Sequence, residues 1–120
     1  MPLTQVPDEL LGGKSAAKAW VVFDATRNSS GGSDVLNTAR FIIASYNVSS
    51  VVKTSTGNHT VNFTNALADA NYCAIGMGRG NALVSLDATT PTTTQCFITT
   101  RVNSTGAGND SPYNALVVFD

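Results

Sequence analysis

The sequence predicts an all-β fold, an antiparallel β-sandwich of about eight strands, and three observations carry this prediction. Short β-branched and apolar runs recur along the chain, and clusters rich in Gly, Pro, Asn or Thr separate them. Ser and Thr together make up 26 residues, whereas Glu occurs once and Lys three times, so strong helix formers are scarce. No amphipathic helix connects the runs, which favours an antiparallel sandwich over a parallel sheet.

The chain is long enough for one domain, and its composition excludes several partners. It has 120 residues, of which 12% are charged, with a net charge of −1. Because no basic field exists, we expect no nucleic-acid partner. No apolar run is long enough to cross a bilayer, so no membrane insertion is expected. The N-terminus lacks the basic and apolar pattern of a signal peptide, which predicts a protein made in the cytoplasm.

Residues 1–17 are predicted to form an N-terminal arm, and residues 18–120 the sandwich domain. Pro2 and Pro7 interrupt any early strand, and residues 7–11 can form one helical turn that Gly12 ends. Leu10 and Leu11 on this turn need an apolar environment. They could anchor the arm in the core of their own domain or on a second chain, and the sequence leaves both open.

The first two strands are predicted at residues 18–24 and 39–48. In the first, Trp20 and Val22 alternate with Val21 and Phe23, so both faces are apolar, as in an inner or interface strand. The Ser- and Gly-rich residues 26–38 predict a long exposed loop between the two strands.

A tight hairpin is predicted over residues 48–64. A β-branched run at 48–53 leads into a turn near Gly57 and Asn58, which tolerate positive φ, and the return strand places Val61 and Phe63 on one face. His59, the single histidine, lies beside this turn and is predicted to face solvent. Four further strands are predicted at residues 72–77, 82–86, 94–102 and 115–119.

Four stretches of the chain resemble a recurring domain of bacteriophage and prophage tail-fibre proteins. They read KAWVVFD at residues 18–24, SYNVSSV at 45–51, TVNFT at 60–64 and ADANY at 68–72, and the resemblance spans residues 18–78. The family usually has Asn-Phe-Asn-Gly where this chain has Val-Phe-Asp-Ala at 22–25. After Gly78 the sequence diverges from the family. Such divergence is expected of an end that binds a variable target, and sequence drift would also produce it.

The resemblance implies a structural virion protein that assembles as a homotrimer, lies on the exterior of the phage particle and contributes to host attachment or fibre assembly. Its other partners would be phage tail or capsid proteins and a glycan or protein of the host surface. Strands with apolar residues on successive positions support trimerisation, and they predict an interface containing Trp20, Phe23, Phe41 and Phe119. An alternative is a capsid decoration or head-fibre protein anchored by Leu10 and Leu11.

The sequence predicts no catalytic residue, no cofactor and no metal site. It has no GxSxG elbow, and its carboxylates are scattered without a spacing that pairs two of them on one strand face. Cys73 and Cys96 are too few for a metal cluster of the CxxC type. They are interpreted as two buried thiols, with a disulfide between neighbouring strands as the alternative.

Several predicted loops carry amides, charges and one aromatic ring that suit recognition of a sugar or a protein surface through hydrogen bonds and stacking. Ordinary loop solubility explains the same residues, and a small carbohydrate-binding protein is a second functional alternative. The candidate recognition residues are Arg79, Asn81, Asn103, Asn109, Asp110 and Tyr113.

Overall fold

A computed structural model describes residues 16–32 and 34–120, and it contains eight β-strands. The strands are β1 Ala17–Asn28, β2 Arg40–Tyr46, β3 Val48–Ser55, β4 Asn58–Phe63, β5 Cys73–Gly78, β6 Ala82–Leu86, β7 Gln95–Val102 and β8 Asn114–Phe119. The predicted all-β, antiparallel fold class is confirmed, and each predicted strand has a counterpart. The predicted arm anchors Leu10 and Leu11 lie outside the described residues.

The strands form two four-stranded antiparallel sheets. Sheet A has the order β2-β1-β8-β5, and sheet B has the order β3-β4-β7-β6. Because neighbours alternate in direction, the connections β1–β2, β3–β4, β5–β6 and β7–β8 lie at one end, which we call the loop end. Backbone hydrogen bonds from Asn37 to Lys53 and from Ala25 to Ser111 hold these connections together. The start of β1 and the end of β8 lie at the opposite, terminal end.

Alternate side chains of both sheets fill one hydrophobic core between them. Val21 and Phe23 of β1 are fully buried there, and so are Val61 of β4 and Ile98 of β7. The prediction of Phe23 as an interface residue is therefore wrong, because its whole side chain is used inside its own domain. Trp20 and Val22, which alternate with Val21 and Phe23, point to the outer face of the sheet.

His59 also faces the core, and the prediction that it faces solvent is wrong. It alternates with Val61 and Phe63 along β4 and is 2% exposed. Its ring packs edge-on against Phe23, with the ring centroids 5.4 Å apart. Proximity to a turn was misleading, since the strand begins at Asn58, directly before the histidine.

Glycines permit close backbone approach at two places. Gly57, at φ +78°, ends the two-residue β3–β4 turn, as predicted near this position, and a Cβ there would lie 2.6 Å from the carbonyl oxygen of Thr100. On the β5–β6 side, a Cβ on Gly76 would lie 2.5 Å from Cγ1 of Val84. The two sheets therefore approach closely along this edge.

The β1–β2 connection, predicted to be a long exposed loop, is anchored by a buried arginine. Strand β1 continues to Asn28, so the loop begins three residues later than predicted. Arg40 is 1% exposed, and its guanidinium donates hydrogen bonds to the carboxylate of Asp34 at 2.6 Å and to the carbonyl of Val35 at 2.8 Å. The loop itself remains largely exposed at Val35 and Leu36.

Both cysteines are free thiols. Cys96 of β7 is fully buried in the core, as predicted, whereas Cys73 of β5 is exposed and corrects the prediction of two buried thiols. Among the described residues, no helix has the length and apolar character needed to cross a membrane.

Candidate functional site

The outer face of sheet A is built of apolar and aromatic side chains. Trp20 lies directly opposite Tyr46 on one side and Val117 on the other, and Val117 lies opposite Ile75. Side chains of opposite residues in an antiparallel pair share a face, so these four form a row pointing away from the core. Ten uncharged residues on the four strands of sheet A, defined here as the apolar face, share this outward orientation: Trp20, Val22, Ala44, Tyr46, Cys73, Ile75, Met77, Ala115, Val117 and Phe119.

None of these ten side chains is charged, and the largest are open to water. Met77 is 71% exposed, Tyr46 57%, Ile75 55% and Trp20 37%. A shallow depression of about 360 Å³ crosses the centre of the face, above the small side chain of Ala115. Complete burial of one such large apolar side chain is worth about 1.5–3 kcal/mol, so covering the whole face would be strongly favourable.

The outer face of sheet B is mixed, with hydrogen-bonded polar side chains beside the apolar Leu83 and Phe97. Across three neighbouring strands, the amide of Gln95 donates to Asn62 at 2.9 Å, and the amide of Asn62 donates to Ser50 at 3.0 Å. The hydroxyls of Ser85 and Thr99 are hydrogen bonded at 3.0 Å. The two faces of the sandwich therefore differ in kind, and the apolar one resembles the surface of an oligomer interface.

Comparison with protein-family models, curated proteins and solved structures found no match.

The structure places the four predicted interface residues in three different environments. Trp20 and Phe119 lie on the apolar face, and Phe23 lies in the core. Phe41 pairs with Asp24 at the loop-end margin of the face, where the guanidinium of Arg27 stacks over its ring at 4.1 Å. Ile75 and Met77 also lie on the apolar face but were not among the predicted interface residues. Their alternation with Ala74 and Gly76 along β5 is the signal that could have identified them.

Four of the six predicted recognition residues come together at the loop end. The guanidinium of Arg79 lies 4.8 Å from the ring centre of Tyr113, and the backbone amide of Asn103 donates to the carbonyl of Asn81 at 2.6 Å. The exposed Asn81 and Asn103 thus belong to adjacent loops. These loops form a polar surface with one aromatic ring.

The other two predicted recognition residues are held by the fold. The backbone amide of Asn109 donates to the carbonyl of Thr100 at 3.0 Å. The carboxylate of Asp110 accepts hydrogen bonds from Lys53 at 2.5 Å and from the backbone amide of Gly57 at 2.9 Å. The carboxylate of Asp110 is therefore used inside the domain.

A buried charge cluster lies behind the loop end. The ammonium of Lys53, whose side chain is 5% exposed, lies 2.6 Å from Asp34 and 2.5 Å from Asp110. The hydrogen bond from Lys53 lowers the pKa of Asp34. Burial alone would lower the pKa of Lys53, but hydrogen bonds to Asp110 and Asp34 outweigh burial and raise it. Sequence spacing gave no sign that these two carboxylates converge.

His59 borders the cluster from the core side. Its Nε2 lies 3.7 Å from Oδ1 of Asp110, and neither ring nitrogen has a hydrogen-bond partner. Burial lowers the pKa of His59 to about 4, so the ring is neutral near pH 7. Within residues 16–32 and 34–120, no group of three or more His, Cys, Asp or Glu side chains could hold a metal ion.

Charges in the described residues are sorted between the two ends. The loop end carries five cations, Arg27, Arg40, Lys53, Arg79 and Arg101, and three carboxylates, Asp24, Asp34 and Asp110. The terminal end carries Lys18 with Asp69, Asp87 and Asp120. The described residues of the loop end therefore have a positive net charge, and those of the terminal end have a negative one. The net charge of the whole chain is only −1.

Proposed function

We propose that this chain is a structural virion protein of bacteriophage tail-fibre type, in which three copies associate through their apolar faces. The single observation that carries the proposal is the apolar face of sheet A, whose large side chains are exposed among the described residues. The number of copies and the assignment to a virion rest on the resemblance of residues 18–78 to tail-fibre domains.

Other copies of the same chain are the occupant that this face fits best. Because its ten side chains are uncharged, a symmetric arrangement brings no like charges together there. Arg27 carries its own counter-ion at the margin, since its Nε lies 2.9 Å from the carboxylate of Asp24. On the outer face of sheet B, by contrast, hydrogen-bonded polar side chains such as Asn62 and Gln95 interrupt the apolar ones.

The two ends of the sandwich support a division of roles. Strand β1 begins and strand β8 ends at the terminal end, whereas Arg79, Asn81, Asn103 and Tyr113 lie at the loop end. Attachment to other virion proteins at the terminal end would leave the loop end free to contact a host surface.

A pair of matched charge insertions tests the proposed interface. Ile75→Lys introduces an ammonium on the apolar face, and Leu83→Lys introduces one on the outer face of sheet B, where the parent side chain is about equally exposed, 51% against 55%. Burying an unpaired charge costs several kcal/mol. We expect Ile75→Lys to raise the dissociation constant at least about 100-fold and Leu83→Lys to leave it unchanged. Equal effects of the two substitutions would contradict the proposal.

Cys73 provides a reporter on the same face. Cys73 is exposed and Cys96 is fully buried. A thiol reagent therefore alkylates only Cys73 while the chain is folded. We expect alkylation of Cys73 to be slow in the assembled protein and fast in Ile75→Lys. A monomer with protected Cys73 would place residues 1–15 of its own chain on the face and would overturn the oligomer proposal.

A carbohydrate-binding protein is the second candidate, favoured by the half-buried Tyr113 and the exposed Arg79 that stacks on it, beside the amides of Asn81 and Asn103. This second function predicts saturable binding to a polysaccharide, with an affinity that Tyr113→Ala lowers at least tenfold.

Immuno-electron microscopy of the virus particle distinguishes the tail-fibre assignment from the head-fibre alternative, since label on the capsid shell supports the latter.

A further inference from the structure

The ammonium of Lys53 is held directly against a carboxyl group in a site with little access to water. Its Nζ lies 2.5 Å from Oδ2 of Asp110, and the two side chains are 5% and 11% exposed. The residues are 57 positions apart in sequence, so the fold alone brings them together. This arrangement places an amine nucleophile and an acyl group in contact without a bound substrate.

We propose that Lys53 and Asp110 become joined by an intramolecular amide bond, and that the charge cluster is the site of this self-modification. The reaction is a condensation. The ammonium of Lys53 and the carboxylate of Asp110 give one amide and one molecule of water, with no net change in charge and no oxidant or co-reactant.

Asp34 is positioned to move the protons. Its Oδ2 lies 2.6 Å from the same Nζ, so it can accept a proton and leave a neutral amine. The amine lone pair attacks Cγ of Asp110 and forms the C–N bond. A second proton leaves the nitrogen as the tetrahedral intermediate collapses. Both protons end on Oδ2 of Asp110, which departs as water, while the amide nitrogen retains its third hydrogen.

The other oxygen of Asp110 is held by a backbone donor. The amide of Gly57 donates to Oδ1 at 2.9 Å, so negative charge that develops on this oxygen during attack is stabilised. A Cβ on Gly57 would collide with the backbone of Thr100 and Gly108, which fixes how the turn approaches the carboxylate. Asp34 has a 38% exposed side chain and is the less protected carboxyl group, which favours Asp110 as the acylated partner.

The surroundings favour the amide over the ion pair. Two buried charges are costly to desolvate, whereas an amide is neutral. Arg40 adds a second cation to the cluster, bound to Asp34 at 2.6 Å. Because the hydrogen bonds to Asp110 and Asp34 raise the pKa of Lys53, the neutral amine that attacks is the minor form. Water released by the reaction can leave past the partly exposed Asp34.

Intact mass of the denatured full chain tests the proposal. We expect a mass lower than that of the sequence by one water, and a branched proteolytic peptide in which the segment containing Lys53 is joined to the segment containing Asp110. We expect Lys53→Arg and Asp110→Ala to have the full mass of their sequences. Lys18→Arg serves as the matched lysine control and should retain the loss.

Folding of each protein is read from Cys96, because the buried thiol resists alkylation only while the core is intact. Wild-type protein with protected Cys96 that keeps the full sequence mass after prolonged incubation at 37 °C would overturn the proposal. If Lys53→Arg also loses one water, the modification must lie at another site, and the proposal would be overturned. Asp34→Asn should slow the loss at least tenfold, and an unchanged rate would overturn the role of Asp34 as proton acceptor.

Discussion

His59 packs edge-on against Phe23 across the core, with ring centroids 5.4 Å apart and both side chains almost completely buried. This contact joins β4 of sheet B to β1 of sheet A. It also places an ionisable ring where its charged form is unfavourable, and the consequence is a dependence of stability on pH.

Acidification should destabilise the fold through His59. Burial lowers its pKa to about 4 in the folded protein, against 6.5 when exposed. Above pH 6.5 the His59 ring is neutral in both the folded and the unfolded chain, so its titration does not change the free energy of unfolding. As the pH falls from 6.5 to 4, only the unfolded chain binds the proton, and stability falls by about 3 kcal/mol. The groups that face the ring are Asp110, Arg40, Lys53 and Asp34.

Urea unfolding at pH 7 and pH 4 measures this loss, and His59→Gln provides the control. The glutamine variant should be less stable at pH 7, because it loses the ring contact with Phe23, but its stability should fall much less with acidification. An equal fall in both proteins would assign the pH dependence to other groups.

Gly76→Ala should lower the free energy of unfolding by about 1–3 kcal/mol, because overpacking forces neighbours to shift. The added Cβ would lie 2.5 Å from a methyl group and 2.9 Å from the carbonyl oxygen of Val84. Gly32→Ala is the control. Its nearest neighbour is the side chain of Asn28 at 3.3 Å, and we expect a change below about 0.5 kcal/mol. Similar unfolding midpoints for both variants would argue against close approach of β5 and β6.

Two arginines at the loop end should differ in their contribution to stability. Arg40→Ala removes a fully buried guanidinium and leaves the carbonyls of Val35 and Ala25 without their donor, at a cost of about 3 kcal/mol. Arg27→Ala removes a 43% exposed partner of Asp24 and should cost less than about 1 kcal/mol. Thermal unfolding of both variants gives the comparison, and a larger effect at Arg27 would be inconsistent with the buried anchor.

The strands and their order along the chain were predictable because their signals are local. Alternation, β-branched runs and turn residues are contained within each segment, and Ala82–Leu86 was predicted with the bounds that the structure has. The inward direction of His59 was also contained in the alternation with Val61 and Phe63. It was missed because nearness to the turn was given more weight than periodicity.

The buried charge cluster could not be predicted because it depends on contacts between distant segments. Lys53 meets Asp34 across 19 positions and Asp110 across 57. No pattern within either neighbourhood specifies these contacts. The apolar face was predicted only in part. Successive apolar residues around Trp20 indicated that both faces of β1 are apolar. Only the order of strands in the sheet places Ile75 and Met77 beside Val117 and Ala115.

Light scattering during size-exclusion chromatography measures the mass of the native protein in solution and so shows whether three copies associate. Three copies that bury the apolar face would give three times the chain mass of 12.5 kDa, with no dissociation at micromolar concentration. A monodisperse species of one chain mass at the same concentration, with Cys73 freely alkylated, would contradict the account.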